Sequence, residues 1–311
     1  MKALGIGEIV LDNVCLLPHY IDEGSKIQPL KSEYSLGGPV PAALILLSRL
    51  GVDCMFIGSV GKDGYGKMMI QRLKNENIAV VPQYISRSKV NTVLVNQQNG
   101  SRSIIRHSIK HRPIRVVSKE TIQQADIILI DRHVTDILDD IKRFRRKTTK
   151  VIIDPSTEIS KNTYNMMKVA DYPILPIESL QKIRRHESPR KKLSHLQHLL
   201  KKTIVITAGE KGSFVYNGRS IRIAPSYHVK VIDTLGAGDV YRGAFGYGLL
   251  KKWSLLKTIR YANSVSALQC TKIGNDSAIP TSQEISEFNK RAQINKVTTC
   301  ELNLDQHNNE N

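Results

Sequence analysis

The sequence predicts an α/β protein in which a smaller, separate β-sheet accompanies a mainly parallel central sheet. Short β-branched runs alternate with longer helix-like runs along the 311 residues, as parallel strands joined by helical crossovers require. The hydrophobic content of 41% is enough to bury a full core. Two polar β-rich segments, 12–36 and 91–112, do not fit such a core, and we expect them to form a lid over a cleft.

The first part of the chain is predicted to alternate between strands and helices. Paired glycines at 37–38 lead into an apolar helix, and Gly51 ends it. Further on, the dipeptide Asn99-Gly100 stands between two β-rich arms and is the strongest short-range signal for a hairpin. The predicted strand, helix, strand, helix and hairpin of this part span 3–11, 37–51, 54–61, 63–78 and 92–108.

The second part keeps a regular alternation of strands and helices. In a mainly parallel sheet, ligands bind beyond the carboxyl ends of the strands, so residues that follow these strands are candidate site residues. We expect one domain over residues 1–295, followed by a polar, frayed tail at 296–311. The predicted strands here are 126–131, 150–156, 172–176 and 203–209, with a hairpin at 212–225 and helices at 134–147, 164–171, 253–271 and 282–292.

The chain is strongly basic, with a net charge of +18 at pH 7. Much of the excess lies in two runs, 141–150 and 181–202, which lack the interleaved aromatic pattern of a base-stacking surface. A solvated basic face is therefore favoured over nucleic-acid binding. No apolar run is long enough to span a membrane and the N-terminus lacks the apolar core of a signal peptide, so we expect a cytoplasmic protein. Four scattered cysteines without a CxxC pair predict neither a zinc site nor a disulfide framework.

The stretch IDTLGAGDVYRGAF, residues 232–245, carries the most specific chemical signal. Gly236, Ala237 and Gly238 can present backbone amides at a helix N-terminus, where the amides and the helix dipole attract phosphate. Asp239 follows this turn directly, and a carboxylate beside an anion pocket can take the proton of an attacking hydroxyl. The motif alone leaves open that Asp239 only caps the helix.

The same stretch resembles the carboxy-terminal signature of the PfkB/ribokinase family of carbohydrate and nucleoside kinases. The resemblance covers nearly the whole chain, in order. GIGEIVLD is similar to the family's first strand and substrate-binding Asp, and GGPVPAALILLSRLGVDCMFIGSVGKDGYGKMM to its double-glycine signature. ITAGEKGSFVY resembles the T-x-G-x-x-G nucleotide loop, and YANSVSALQCTKIGNDSAIPT the helix and loop beside the adenine. A ribokinase-like three-layer sandwich with a β-sheet lid is the implied fold.

This resemblance implies an ATP-dependent kinase that phosphorylates a hydroxyl, expected to be primary, of a sugar or sugar-like molecule. Asp239 would be the base, and the amides of Gly236, Ala237 and Gly238 the anion hole. The implied cofactors are ATP and Mg²⁺, with K⁺ as a candidate monovalent cation, and the lid often mediates homodimer formation in the family. No Walker A sequence is present, and the family does not need one. Further implied residues are Asp12, Gly37 and Gly38 for substrate, Thr207, Gly209, Gly212 and Asn263 for ATP, and Asp233 for the monovalent cation.

Several positions depart from the family pattern. Ala42 stands where the signature usually has an Asn that contacts sugar hydroxyls, so either the substrate differs or another residue supplies the contact. Arg132, with Asp131 and His133, follows a predicted strand and is a candidate; a solvated loop is the alternative. Glu178 is the acid retained near the expected N-x-x-E magnesium motif.

These departures leave alternatives open. The chain could be a nucleoside kinase, or a degenerate member that binds nucleotide or sugar with little turnover and a regulatory role. The net charge also motivates a nucleic-acid-binding protein, which would show tight, salt-sensitive binding. The intact Asp239 and its glycine turn favour an active kinase.

Overall fold

A computed structural model of the chain describes residues 1–107, 114, 117–155, 157, 159–184 and 186–292. These residues form two sheets and ten helices. The strands are β1 (Lys2–Glu8), β2 (Val10–Leu17), β3 (Lys31–Gly37), β4 (Asp53–Gly61), β5 (Ile78–Ile85), β6 (Val90–Asn96), β7 (Arg102–Arg106), β8 (Ile127–Asp131), β9 (Lys150–Asp154), β10 (Tyr172–Pro176), β11 (Ile204–Thr207), β12 (Ser213–Tyr216) and β13 (Ile221–Ala224). The helices are α1 (Pro39–Arg49), α2 (Gly64–Asn75), α3 (Lys119–Gln124), α4 (Leu138–Phe144), α5 (Lys161–Val169), α6 (Ile177–Lys182), α7 (Pro189–Leu200), α8 (Ala237–Leu250), α9 (Leu255–Gln269) and α10 (Ser282–Arg291).

The larger sheet has nine strands in the order β13-β12-β11-β10-β9-β8-β1-β4-β5. Every neighbouring pair from β11 to β5 is parallel, whereas β12 and β13 run antiparallel at one edge. Parallel strands point their carboxyl ends to the same side of the sheet, so side chains that follow β1, β8 and β9 meet there. The predicted α/β fold with a mainly parallel sheet is confirmed.

Helices cover both faces of this sheet and give three layers. On one face α1, α2, α8, α9 and α10 pack around residues such as Leu44 and Phe245, both fully buried. On the other face α3 to α7 pack around Ile141, Met166 and their neighbours. Within the described part of the chain, no helix is both long enough and apolar enough to cross a bilayer.

The smaller sheet is the predicted lid. Its four strands have the order β3-β2-β6-β7, with β2 and β6 parallel and the outer pairs antiparallel. One face of the lid packs Val14, Val93 and Val95 against Leu235, which immediately precedes the GAGD turn. The strands lie at 10–37 and 90–106; residues 108–112 of the predicted lid lie outside the described residues, as does the predicted tail.

The prediction of one strand over 3–11 is wrong. The chain leaves the central sheet after Glu8, and Val10 already belongs to the lid. The apolar pattern continues through Ile9, which is buried, because the core and the lid both bury apolar residues at this junction. Hydrophobicity therefore does not mark the change of sheet.

Several elements were not predicted. Pro82 interrupts the pattern of β5, yet proline is tolerated because β5 is an edge strand of the large sheet. Helix α7 lies inside the basic run 181–202 and still buries Leu193, Leu196 and Leu200. Arg190 and Lys191 lie on the exposed face of this amphipathic helix, whereas Lys192 is buried.

Candidate active site

A cleft lies between the lid and the carboxyl ends of β1, β8 and β9. Its cavity has a volume of about 190 Å³. Charged side chains dominate the walls, so this cleft suits a polar ligand rather than an apolar one. It is lined by Glu8, Val10, Asp12, Gly38, Pro39, Lys89, Asn91, Ile104, Arg106, Asp131, Arg132, His133, Asp154, Leu235, Asp239 and Asn275.

Helix α8 starts at this cleft with a turn that only glycine fits well. Gly236 precedes the helix with φ of 73°, in the left-handed region. A Cβ atom at Gly236 would lie 2.1 Å from the Oδ1 atom of Asn275. In the first turn that follows, the amides of Ala237 and Asp239 donate to the carbonyl oxygens of Thr234, at 3.4 Å, and Gly236, at 3.0 Å. The helix dipole favours an anion at this end.

Asp239 sits in the first turn of α8 and faces the cleft. Its side chain is 21% exposed, and Arg242 Nη1 donates to its Oδ1 at 3.2 Å. Burial raises the pKa of Asp239 to about 7, although the Arg242 cation acts in the opposite direction. Near neutral pH this carboxyl can therefore both accept and release a proton.

Asp12 reaches the cleft from the lid strand β2. Its Oδ1 accepts a hydrogen bond of 2.9 Å from Asn91 Nδ2, and burial raises its pKa. A Cβ atom at Gly37 would lie 2.2 Å from Asp12 Oδ2, so glycine makes room for this carboxylate. The Oδ1 atom of Asn91 is buried and, within the described residues, has no hydrogen-bond partner. The pair thus offers acceptors to substrate hydroxyls.

A second group of charged residues, around Glu8 and Asp131, also lines the cleft. Glu8 is paired with Lys89 at 2.7 Å, and the Nε2 atom of His133 lies 3.3 Å from Glu8 Oε2. Asp131 is fully buried and accepts hydrogen bonds from the amides of Glu8, at 2.5 Å, and of His133, at 2.9 Å. Burial raises the pKa of Asp131 to about 7. This acid fixes the ends of β1 and β8 relative to each other, and Arg132 lines the cleft beside it.

A larger cavity of about 490 Å³ lies on the other side of the GAGD turn. It shares this turn with the cleft, because Thr234 and Ala237 line the larger cavity while Leu235 and Asp239 line the cleft. Its volume falls in the range of cofactor and nucleotide pockets. The lining residues are Gly209, Glu210, Ser226, Tyr227, His228, Val229, Val231, Thr234, Ala237, Ser266, Ala267 and Cys270.

The residues predicted to bind ATP divide into two groups. Gly209 lines the larger cavity, and Thr207 ends the strand that leads to it. Gly212 has φ of 89° and is tightly packed, since a Cβ there would lie 2.2 Å from the carbonyl oxygen of Ala224. Asn263 is buried and donates to the carbonyl oxygens of Ala224 and Pro225. Gly212 and Asn263 thus shape the wall, whereas Gly209 faces the cavity.

Ala42 and Glu178 are among nine predicted site residues that line neither cavity; the others are Gly37, Thr207, Gly212, Asp233, Gly236, Gly238 and Asn263. Ala42 is fully buried inside α1. Glu178 is exposed in the first turn of α6. The structure therefore does not bring Ala42 or Glu178 to the cleft with Asp12, Gly38, Arg132 and Asp239.

Asp233 lies beneath the turn and is fully buried. Its oxygens accept hydrogen bonds from the amides of Leu235, at 2.9 Å, and Gly274, at 3.0 Å. Close by, Gln269 Oε1 and Asn275 Oδ1 are buried without a hydrogen-bond partner in the described part of the chain. A buried carboxylate with unpaired amide oxygens nearby fits a hard monovalent cation, which prefers oxygen ligands.

The sequence reasoning missed Asn91, Lys89 and Arg106, which the lid brings to the cleft. It also missed Asp154, although this residue lies in the predicted strand 150–156 and ends β9 at the carboxyl end of the sheet. Arg242 lies within the GAGD stretch, three residues after Asp239, which is the spacing of side chains on one helix face. Strand ends and helix spacing were therefore available signals for Asp154 and Arg242, but not for the lid residues.

Sequence comparisons match nearly the whole chain to known proteins. A family model described as "pfkB family carbohydrate kinase" matches residues 3–282. A ribokinase from Haemophilus influenzae is 25% identical over 306 residues, covering 92% of this chain and 98% of the relative. A ribokinase from Lactococcus lactis is 26% identical over 309 residues, covering 94% and 99%. A 5-dehydro-2-deoxygluconokinase from Clostridium botulinum is 26% identical over 290 residues, covering 82% and 84%.

Solved structures share the architecture. The ribokinase of Thermotoga maritima superposes with a TM-score of 0.80 at 21% identity, covering 93% of this chain and 99% of that one. The Arabidopsis thaliana ribokinase complexed with ribose and ATP gives 0.77 at 17% identity, covering 93% and 99%. The adenosine kinase of Sinorhizobium meliloti gives 0.77 at 16% identity, covering 93% and 98%. At these identities the likeness establishes the fold.

Proposed function

Since the chain belongs to the pfkB family of carbohydrate kinases and is an ATP-dependent phosphotransferase that acts on a sugar hydroxyl, we propose that Asp239 is the general base of this transfer. The acceptor is a sugar or sugar-like molecule held in the cleft beneath the lid. ATP would occupy the larger cavity, with its terminal phosphate at the GAGD turn.

One observation carries this proposal. Asp239 and the turn of Gly236, Ala237 and Gly238 stand where the two cavities meet. A phosphate bound to the helix N-terminus would therefore lie between the nucleotide and the hydroxyl that Asp239 faces. Capping of α8 alone does not account for a carboxylate that lines a cavity and whose pKa is raised by burial to about 7.

The phosphoryl transfer then needs few protein groups. The substrate oxygen, expected to be a primary hydroxyl, attacks the γ-phosphorus, and its proton moves to an Oδ atom of Asp239. The new O–P bond forms as the bond from the γ-phosphorus to the bridging oxygen breaks and ADP leaves. The amides of Gly236, Ala237 and Gly238 hold the charge on the transferring group. Positioning by the two cavities supplies much of the remaining acceleration.

Substrate recognition would rest on Asp12 and Asn91. The carboxylate of Asp12 and the unpaired Oδ1 of Asn91 accept hydrogen bonds, so they suit neighbouring hydroxyls of a sugar. Gly37 and Gly38 keep this wall free of side chains. Ala42 has a methyl side chain and is buried in α1, so it offers the substrate no polar group. Asn91 would supply the amide that the family signature usually places at that position.

Mg²⁺, when bound, would neutralise charge on the ATP phosphates. Glu178 lies outside both cavity walls, so we expect the ion to be held largely by the phosphates themselves. A monovalent cation fits better, because Asp233, Gln269 and Asn275 offer buried oxygens beneath the turn. By fixing the loop around Gly236, such an ion would steady the anion hole.

The test is turnover of wild type and Asp239→Asn on a panel of sugars, sugar acids, sugar phosphates and nucleosides. We expect activity on a sugar-like member and a loss of about two to four orders of magnitude in the variant, with ATP affinity retained. Asp171→Asn is the matched control, because Asp171 is also paired with an arginine and its side chain is 22% exposed. It precedes β10 and so lies at the amino-terminal ends of the strands, away from the cleft.

Near-normal turnover of Asp239→Asn would refute the assigned role. Activity confined to nucleosides would favour the nucleoside kinase alternative. Binding of ATP without turnover on any member of the panel would favour the regulatory one.

A further inference from the structure

Arg242 joins the two acids on one side of the cleft. Its Nη2 atom lies 2.7 Å from Asp154 Oδ1, and its Nη1 atom lies 3.2 Å from Asp239 Oδ1. The side chains of Arg242 and Asp154 are only 11% and 10% exposed. One guanidinium therefore connects the first turn of α8 to the end of β9 in the central sheet.

We propose that Arg242 is a positioning residue that orients the carboxylate of Asp239 for proton transfer and balances its charge, with Asp154 as the anchor of the guanidinium. The inference rests on the proposed role of Asp239 as the base. It assigns supporting roles to Arg242 on α8 and Asp154 on β9, neither of which needs to touch the reacting atoms.

The geometry supports positioning rather than simple pairing. A short Asp side chain in the first turn of a helix can rotate freely toward solvent unless it is held. Arg242, one turn further along α8, is itself held by Asp154 on a different element. The planar guanidinium presents its donors in a fixed fork, so fixing one end on Asp154 also fixes the direction of the donor toward Asp239.

Stability alone is a poor reason for this arrangement. The Nε atom of Arg242 is buried and, among the described residues, has no hydrogen-bond partner. A buried guanidinium with an unsatisfied donor costs free energy, and buried ion pairs often add little to stability. The charge of Arg242 is better explained by the acid beside it.

Arg242 and Asp154 have opposite electrostatic effects on the base. Burial raises the pKa of Asp239 most, Arg242 lowers it, and Asp154 raises it. From the lid, Arg102 lowers this pKa and Asp12 raises it. The other charged groups that line the same cleft are Glu8, Lys89, Arg106, Asp131, Arg132 and His133.

Because the two effects have opposite signs, the experiment is the pH dependence of kcat/KM from pH 5 to 10.5 for Arg242→Gln, Asp154→Asn and the double variant. Removing Arg242 should move the acidic limb to higher pH by about one to three units, because an adjacent opposite charge shifts a carboxyl by this amount. Removing Asp154 should move the limb to lower pH. The double variant should lie between the two.

Two further variants separate positioning from charge. Arg242→Lys should return the limb toward the wild-type pH, yet kcat should stay well below wild type because lysine has no fork. Arg49→Gln removes an arginine that is paired with Glu76 through two nitrogens on the far end of α1. We expect Arg49→Gln to lower the melting temperature and to leave the limb in place.

A purely structural role would lower activity by the same factor at every pH, or move the limb in the same direction in both single variants. Either result would overturn the proposal. Asp239→Asn is measured in parallel, so the outcomes are distinguishable. If Asp239→Asn loses turnover while Arg242→Gln and Asp154→Asn do not shift the acidic limb in opposite directions, the proposed role of Asp239 stands and the positioning role of Arg242 is refuted. If Asp239→Asn keeps turnover, the proposed function itself fails.

Discussion

The guanidinium of Arg102 on β7 donates a hydrogen bond to the hydroxyl of Thr234, two residues before Gly236. The tip of the same hairpin approaches the same loop, since a Cβ atom at Gly100 would lie 3.0 Å from the carbonyl oxygen of Ile232. The lid and the loop that leads into the GAGD turn are therefore in direct contact.

Replacing Arg102 with alanine should weaken this contact. We expect kcat/KM for the sugar to fall about two- to tenfold, which corresponds to a net hydrogen-bond contribution of about 0.5–1.5 kcal/mol. Steady-state kinetics measure this, with Arg219→Ala as the control, because Arg219 is an exposed arginine in the distant β12–β13 turn. Equal effects of the two variants would contradict the prediction.

Replacing Asp12 with alanine should act on the sugar and spare ATP. The loss of a charged acceptor is worth about 1.5–3 kcal/mol, so the KM for the sugar should rise about ten- to a hundredfold. Asp12→Asn should be milder, because its amide oxygen can still accept from Asn91 and from a hydroxyl. A change in the KM for ATP with no change for the sugar would count against the assignment.

Replacing Gly236 with alanine should damage the anion hole. A left-handed alanine costs about 1–2 kcal/mol, and its Cβ would also displace Asn275. We expect turnover to fall more than about tenfold, the equivalent of about 1.4 kcal/mol in the barrier. Gly238→Ala is the comparison: a Cβ there meets only the end of Arg242, at 3.3 Å. If both variants lose the same activity, local strain at Gly236 is not the cause.

Activity should depend on pH through Asp239. The proposed base works when ionised, and burial raises its pKa to about 7, so kcat/KM should fall as pH decreases below about 7. Well below that pH the loss should approach about tenfold per unit, because the ionised fraction falls in that proportion. A pH series at constant ionic strength measures the limb. The residual activity of Asp239→Asn should not show it, and a limb of the same shape in that variant would point to another group.

Turnover should respond to monovalent cations. Replacing K⁺ by tetramethylammonium at equal ionic strength should lower kcat, because the large organic cation cannot enter the buried oxygens around Asp233. Asp233→Asn should lose most of this response. Identical turnover of wild type in the two salts would exclude a functional cation at this position.

Sequence patterns predicted the elements that local signals define. The alternation of strands and helices gave the central sheet, and the glycine turn before Asp239 placed a helix N-terminus where α8 begins. The break at Ile9 was not predictable, because apolar residues continue through it into a different sheet. Edge strand β5 was hidden by Pro82, which a central strand would not tolerate.

The part of the candidate site that comes from one continuous segment could be predicted from the sequence. The contacts between residues far apart in the sequence could not. Asp239 and its turn come from consecutive residues. The contact of Arg242 with Asp154 joins residues 88 positions apart, and Asn91 reaches Asp12 across the register of β2 and β6. Asn263 was predicted from a single motif as an ATP-binding residue. Its buried amide donates to the carbonyl oxygens of Ala224 and Pro225, a contact that the motif does not indicate.

The chain passes between core and lid at neighbouring points, Ile9, Gly38 and Lys89, and Asp12 lies within two rungs of them. In a rigid-body rotation, residues near the axis move little and residues far from it move most. Swinging of the lid about these crossings would displace Asp12 only slightly, while the tip at Gly100 and Arg102 would travel furthest. Asp12 would thus keep its place in the proposed sugar site when the lid is open. The contact of Arg102 with Thr234, beside the proposed nucleotide cavity, would break on opening and form again on closure.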